Sequence, residues 1–192
     1  MDIGFCGGLN KIGYQKIINM FTKTDIEKYF NAEKSESWVF MAIGIIGIIV
    51  AIVFFFGLKT NFYKGASIPL LLLGLLLGTV GYNVYKRSDE DRIRNVYAYG
   101  MDPSQLQNKE IPRMETVMKN FVIYRYTEIA LALIGIGLFF YFKNNEAQFF
   151  WKGFGLTLAI MALLALSADY FAEKRGHVYL NGLKRVGALK AT

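Results

Sequence analysis

The sequence predicts an all-α membrane protein with four transmembrane helices, built as two tandem hairpins that run parallel to each other with both termini on the cytosolic side. Three observations predict it: four long apolar runs, a block of residues written twice, and a one-sided distribution of basic residues. The 54% hydrophobic content then reflects exposure to lipid and not a large aqueous core.

Residues 1–36 read as a cytosolic N-terminal segment. No apolar stretch typical of a cleavable signal precedes the first span, so that span is expected to direct insertion itself. Met20 offers a second start, which would make residues 1–19 an extension without a role in the fold. Thr24-Asp25-Ile26-Glu27 has the spacing of a capping box and predicts a short amphipathic helix. Its Ile26, Tyr29 and Phe30 share one side, suited either to the membrane surface or to a solvated lead-in.

Residues 37–85 form the first hairpin. Ser37 to Leu58 and Gly65 to Tyr85 carry no charge, and each exceeds the ~20 residues that cross ~30 Å of hydrocarbon. The second hairpin, 121–171, has spans at Phe121 to Phe142 and Gly153 to Phe171. These contain Arg125, Glu128 and Asp169, but are otherwise almost wholly apolar.

Between the hairpins, residues 86–120 predict a folded cytosolic loop. Ser88-Asp89-Glu90-Asp91 reads as a helix start, with Ile93, Val96 and Tyr97 at helical spacing until Gly100, a natural stop. Asp102-Pro103 restarts a helix as cap and first residue. Pro112 opens a third segment whose Met114, Val117, Met118 and Phe121 make one apolar stripe into the third span. Residues 172–192 form a basic cytosolic tail.

The recurrence is specific. Phe55-Phe56, Lys59 and Asn61 return 84 residues later as Phe139-Phe140, Lys143 and Asn145, and Phe62-Tyr63-Lys64-Gly65 returns 88 residues later as Phe150-Trp151-Lys152-Gly153. Lys86-Arg87 is answered by Lys174-Arg175. Of the 22 lysines and arginines, the turns of the two hairpins hold four, Lys59, Lys64, Lys143 and Lys152, and the opposite face holds 18. That asymmetry places both termini on the cytosolic side, and the general character of the chain points to a bacterial-type inner (cytoplasmic) membrane. The net charge of +7 therefore reads as a topology signal with affinity for an anionic leaflet, not as a nucleic-acid surface.

One His and one Cys cannot supply bis-His haem ligation, a three- or four-ligand zinc site or a thiol pair. The sequence also lacks a Gly-x-Ser-x-Gly elbow and a phosphate-cradling Gly-x-x-x-x-Gly-Lys loop. No catalytic residue, metal site or cofactor is expected, and the chain does not read as an enzyme.

Gly74, Gly78 and Gly81 on the second span, and Ala162, Ala165 and Ala168 on the fourth, read as narrow strips for close helix packing, with a homo-oligomer seam as the alternative use. The sharpest polar signal is Arg125, Glu128 and Asp169. Glu128 lies ~22 Å along its helix from Lys143, and Asp169 ~25 Å from Lys152, both inside the apolar core but toward its cytosolic side. Ions there should face the bundle and pair, so Arg125 is expected to neutralise both carboxylates. The equivalent positions of the first hairpin carry no charge: Glu128 falls near Ile43-Gly44 and Asp169 near Gly81-Tyr82.

The functional expectation is a non-catalytic protein acting through contacts, either as a subunit of a membrane assembly or as an immunity-like protector. Beyond the lipid bilayer, its expected partner is another protein, met through Tyr97, Tyr99, Met101, Met114 and Met118. The alternative is a small transporter or channel using Arg125, Glu128 and Asp169.

Overall fold

Thr22 is the residue that caps the first helix. In the computed structural model, which describes residues 21–190, the Thr22 backbone N–H and Oγ1 both donate to the Asp25 carboxylate at 2.8 Å. The capping pair is therefore Thr22 and Asp25, two residues upstream of the expected Thr24 to Glu27 box, because an acid three residues past the cap reaches its N–H. The extension read at residues 1–19 lies outside the described residues.

Helix α1 spans Lys23–Ile52 and ends in a π-helical turn, Val53–Leu58. Lys59 then adopts a left-handed conformation with φ 55°, and Thr60 Oγ1 accepts from the Tyr63 N–H to start α2, Asn61–Met101. A single turn, Pro103–Gln105, and a π-helical turn, Leu106–Glu110, lead into α3, Ile111–Phe142. After the short Glu146–Gln148 turn, α4 runs through Phe149–Lys190. The described residues are all-helical, and four helical stretches are long and apolar enough to cross a membrane.

The main departure from expectation is length. At ~1.5 Å per residue, helices of 41 and 42 residues extend ~60 Å, about twice the hydrocarbon thickness. The excess lies at the end opposite the hairpin turns, called the polar end below. The short helix expected before the first span is simply the start of α1, and the helix start expected at Ser88 does not occur because α2 runs unbroken through it; the stop expected at Gly100 comes one residue later, at Met101, and Asp102 with Pro103 opens the next turn as expected. Ser88 Oγ donates to the Val84 carbonyl at 2.7 Å, and Asn95 Nδ2 donates to the Asp91 carbonyl at 2.9 Å, so these side chains bond within the helix instead of capping it. Gly100 remains helical, and a Cβ there would come within 2.9 Å of Lys23 Nζ.

Packing differs sharply between the two ends. The apolar core consists of Ile26, Phe30, Ala98, Leu106, Met114, Met118, Tyr179, Leu180 and Leu183, all at the polar end. Water drives that burial, and no such drive exists between helices in lipid. Along the spans, contact rests on small residues. A Cβ on Gly44 would meet Gly74 O and Gly78 N at 2.7 Å, one on Gly81 would meet Ser37 O at 2.8 Å, and one on Gly135 would meet Ala159 N at 2.6 Å. A Cβ on Gly74 would meet Gly44 O at 2.9 Å, whereas one on Gly78 would point into open space. Ala162 is buried, while Ala165 and Ala168 are only partly so.

Helix α1 packs on α2 and α3 on α4, and the two pairs meet along α2 and α4. Near the hairpin turns this contact is reciprocal: Gly65 lies against the Phe150 carbonyl, and Gly153 lies against the Phe62 carbonyl.

Candidate functional site

Arg125, Glu128 and Asp169 do not form the single cluster expected from spacing. Arg125 Nη2 donates instead to Glu173 Oε2. Glu173 sits one turn beyond Asp169 on α4, just past the apolar run that ends at Phe171. His177 Nε2 lies 3.4 Å from the other Glu173 oxygen. Glu128 and Asp169 lie with their carboxyl groups side by side, and Glu128 Oε2 is buried without a hydrogen-bond partner.

Arg125, Asp169 and Glu173 border an open groove of about 510 Å³ between α3 and α4, lined also by Phe121 and Phe171. At the sequence offsets of 84 and 88, Arg125 corresponds to Met41, Asp169 to Gly81 and Glu173 to Tyr85. The first hairpin fills this level differently: a Cβ on Gly81 would meet Ser37 O at 2.8 Å and Met41 Cγ at 3.0 Å. At the corresponding level the second hairpin carries Asp169 and the groove.

The proposed partner-binding residues divide by exposure. Met114 and Met118 are in the polar-end core, out of a partner's reach. Tyr99 is partly buried, and its hydroxyl donates to the Phe21 carbonyl at 2.8 Å. Tyr97 and Met101 are exposed by 62% and 75%, and with Ile93, exposed by 65%, they form an apolar patch on α2 beyond the apolar run. The patch borders a shallow groove of about 570 Å³ shared with Lys23, Glu27 and Arg92.

A third constellation escaped the sequence reading. Glu110, 2% exposed, accepts from Arg113 Nε at 2.9 Å, from Arg113 Nη2 at 2.6 Å and from the Tyr179 hydroxyl at 3.2 Å. The Tyr179 ring stacks on Tyr29 at 4.0 Å, and burial pushes its phenol well above the usual tyrosine range. Nearby, burial also raises the Glu33 carboxyl, one of whose oxygens has no hydrogen-bond partner. The i,i+3 spacing of Glu110 and Arg113 was visible in the sequence, but nothing local marks that pair as buried. Tyr179 was concealed by the basic character of the C-terminal segment.

No protein-family model, curated protein or solved structure matches the chain. Its function must therefore be read from its own residues.

Proposed function

We propose that this four-helix protein is a non-catalytic component of an inner (cytoplasmic) membrane that works by contacting another protein, as an assembly subunit or an immunity-like protector. The observation that carries the proposal is the exposed patch of Ile93, Tyr97 and Met101, which lies on a rigid helix and past the end of the lipid-spanning run. Large apolar side chains at that level gain nothing from lipid, and grouped aromatic and Met residues are characteristic anchors of protein interfaces. Lys23, Glu27 and Arg92 supply a charged rim.

The pairing of residues across the patch sets the experiment. Tyr97→Ala with Met101→Ala should reduce co-purification of a specific partner from native membranes by about tenfold or more, while unfolding shifts by less than ~0.5 kcal/mol, as for surface substitutions. Tyr99 is a poor choice for this test, because its substitution would also remove the bond to Phe21. Wild-type pull-downs that return no specific protein would defeat the proposal.

The 18 to 4 division of basic residues supports a cytosolic polar end. In that orientation an impermeant thiol reagent applied outside sealed cells should label a Cys placed at Asn61 or Asn145, after replacement of Cys6, and should spare one at Ser104. Labelling at Ser104 would reverse the assignment. The recurring blocks and the reciprocal Gly65 and Gly153 contacts support a duplicated hairpin with a pseudo-two-fold axis along the membrane normal.

A further inference from the structure

We infer that the groove between α3 and α4 holds the headgroup of a zwitterionic aminophospholipid, with its ammonium group at Asp169 and Glu173 and its phosphate at Arg125. The level is right: Phe121 opens the apolar run of α3 and Phe171 closes that of α4, so the groove lies where aromatic residues meet lipid headgroups. Its deeper wall is apolar, with Ile129 and Leu166 continuing toward the hydrocarbon. A headgroup seated above them would leave its acyl chains in the bilayer.

The charges choose among lipids. Arg125, Glu128, Asp169 and Glu173 together carry a formal charge of −2, which disfavours an anionic headgroup and favours one that brings its own cation. Arg125 is 44% exposed at the groove, and Glu173 engages only its Nη2, so other guanidinium donors face outward in the planar fork that suits phosphate. Asp169, beside Glu128, and Glu173, between Arg125 and His177, lie one turn apart on α4 and supply the carboxylate charge that draws an ammonium group, whose N–H donors a fully methylated choline lacks. The first hairpin has Met41, Gly81 and Tyr85 at the corresponding places, none of which carries a charge, and the Tyr85 ring is already taken by Lys34 Nζ at 5.0 Å.

Native mass spectrometry of the full chain released from nanodiscs tests this, using equal mole fractions of phosphatidylethanolamine, phosphatidylcholine and phosphatidylglycerol with matched acyl chains. The expected result is a one-to-one ethanolamine adduct at least about tenfold more abundant than either competitor, the ratio that one well-placed charge-assisted hydrogen bond supports. Asp169→Asn with Glu173→Gln should abolish the preference for ethanolamine over choline, and Arg125→Gln should weaken both adducts. Leu166→Trp, which fills the groove without altering a charge, should remove them too. Should the carboxylate variant melt early, mono- and dimethylated ethanolamine lipids on the wild-type chain replace it, with a stepwise loss expected for each added methyl. Equal adducts for all three lipids, a preference for phosphatidylglycerol, or no methylation dependence would overturn the assignment. None of these outcomes bears on partner capture through Tyr97 and Met101, which lie on α2.

Discussion

Arg113→Ala is expected to destabilise the protein by about 3–5 kcal/mol, the usual consequence of leaving a buried charge without its partner. Glu110 is almost completely enclosed, and two of its three hydrogen bonds come from Arg113. Tyr179 cannot replace them, because its single hydroxyl already donates to the same carboxylate. The core around these groups draws on all four helices, so the loss should appear as cooperative loss of near-ultraviolet tyrosine signal during denaturant titration in detergent. Glu110→Leu with Arg113→Met should cost much less, since an apolar pair of similar volume leaves no stranded charge. An Arg113→Ala protein that unfolds within ~1 kcal/mol of wild type would mean that Glu110 reaches water after all.

The second large effect is expected at the crossing of α2 and α4. Gly65→Ala and Gly153→Ala should each cost about 2–3 kcal/mol, toward the upper range for overpacking, because the obstacle is a backbone carbonyl and not a side chain that can turn aside. Gly78→Ala and Gly137→Ala provide internal controls. A Cβ at either position meets nothing within 4 Å, so these substitutions should be neutral or stabilising by up to ~1 kcal/mol through helix propensity. The Gly65→Ala, Gly153→Ala double variant should cost less than the two singles together, since the first methyl already opens the crossing that the second would obstruct. Equal melting of all four single variants in the same detergent would show that the crossing does not hold the hairpins together.

How much of this was legible follows from which physics governs each segment. Four apolar runs were plain because lipid constrains composition directly, independent of tertiary contacts. The ends of the helices were not. Ser88 and Asp91 carry the local signals of a helix start, but burial of Ser88, Asp91, Asn95 and Ala98 against neighbouring helices favours continuation of α2 through them, as far as Met101 beside the Gly100 stop. Met114 and Met118 were read as part of one apolar stripe, yet a stripe alone does not distinguish a face turned inward from one offered to a partner. For the polar cluster, the three residues were legible and their pairing was not. Spacing along α3 brings Arg125 near Glu128, whereas the register of α4 against α3 brings it to Glu173, and register across helices is not written in either helix alone.

The composition of the polar-end core has a consequence for biogenesis. Ile26 and Phe30 are among the first described residues to leave the ribosome, while Tyr179 and Leu183, which bury them, are among the last. Both hairpins must therefore be in place before this core is complete. Until then α1 presents Phe30 and Ile26 to the aqueous phase, a transient exposure suited to capture by an insertion chaperone or a quality-control protease. A chain truncated before Tyr179 would retain four apolar runs and still lack the closure that ends this surveillance.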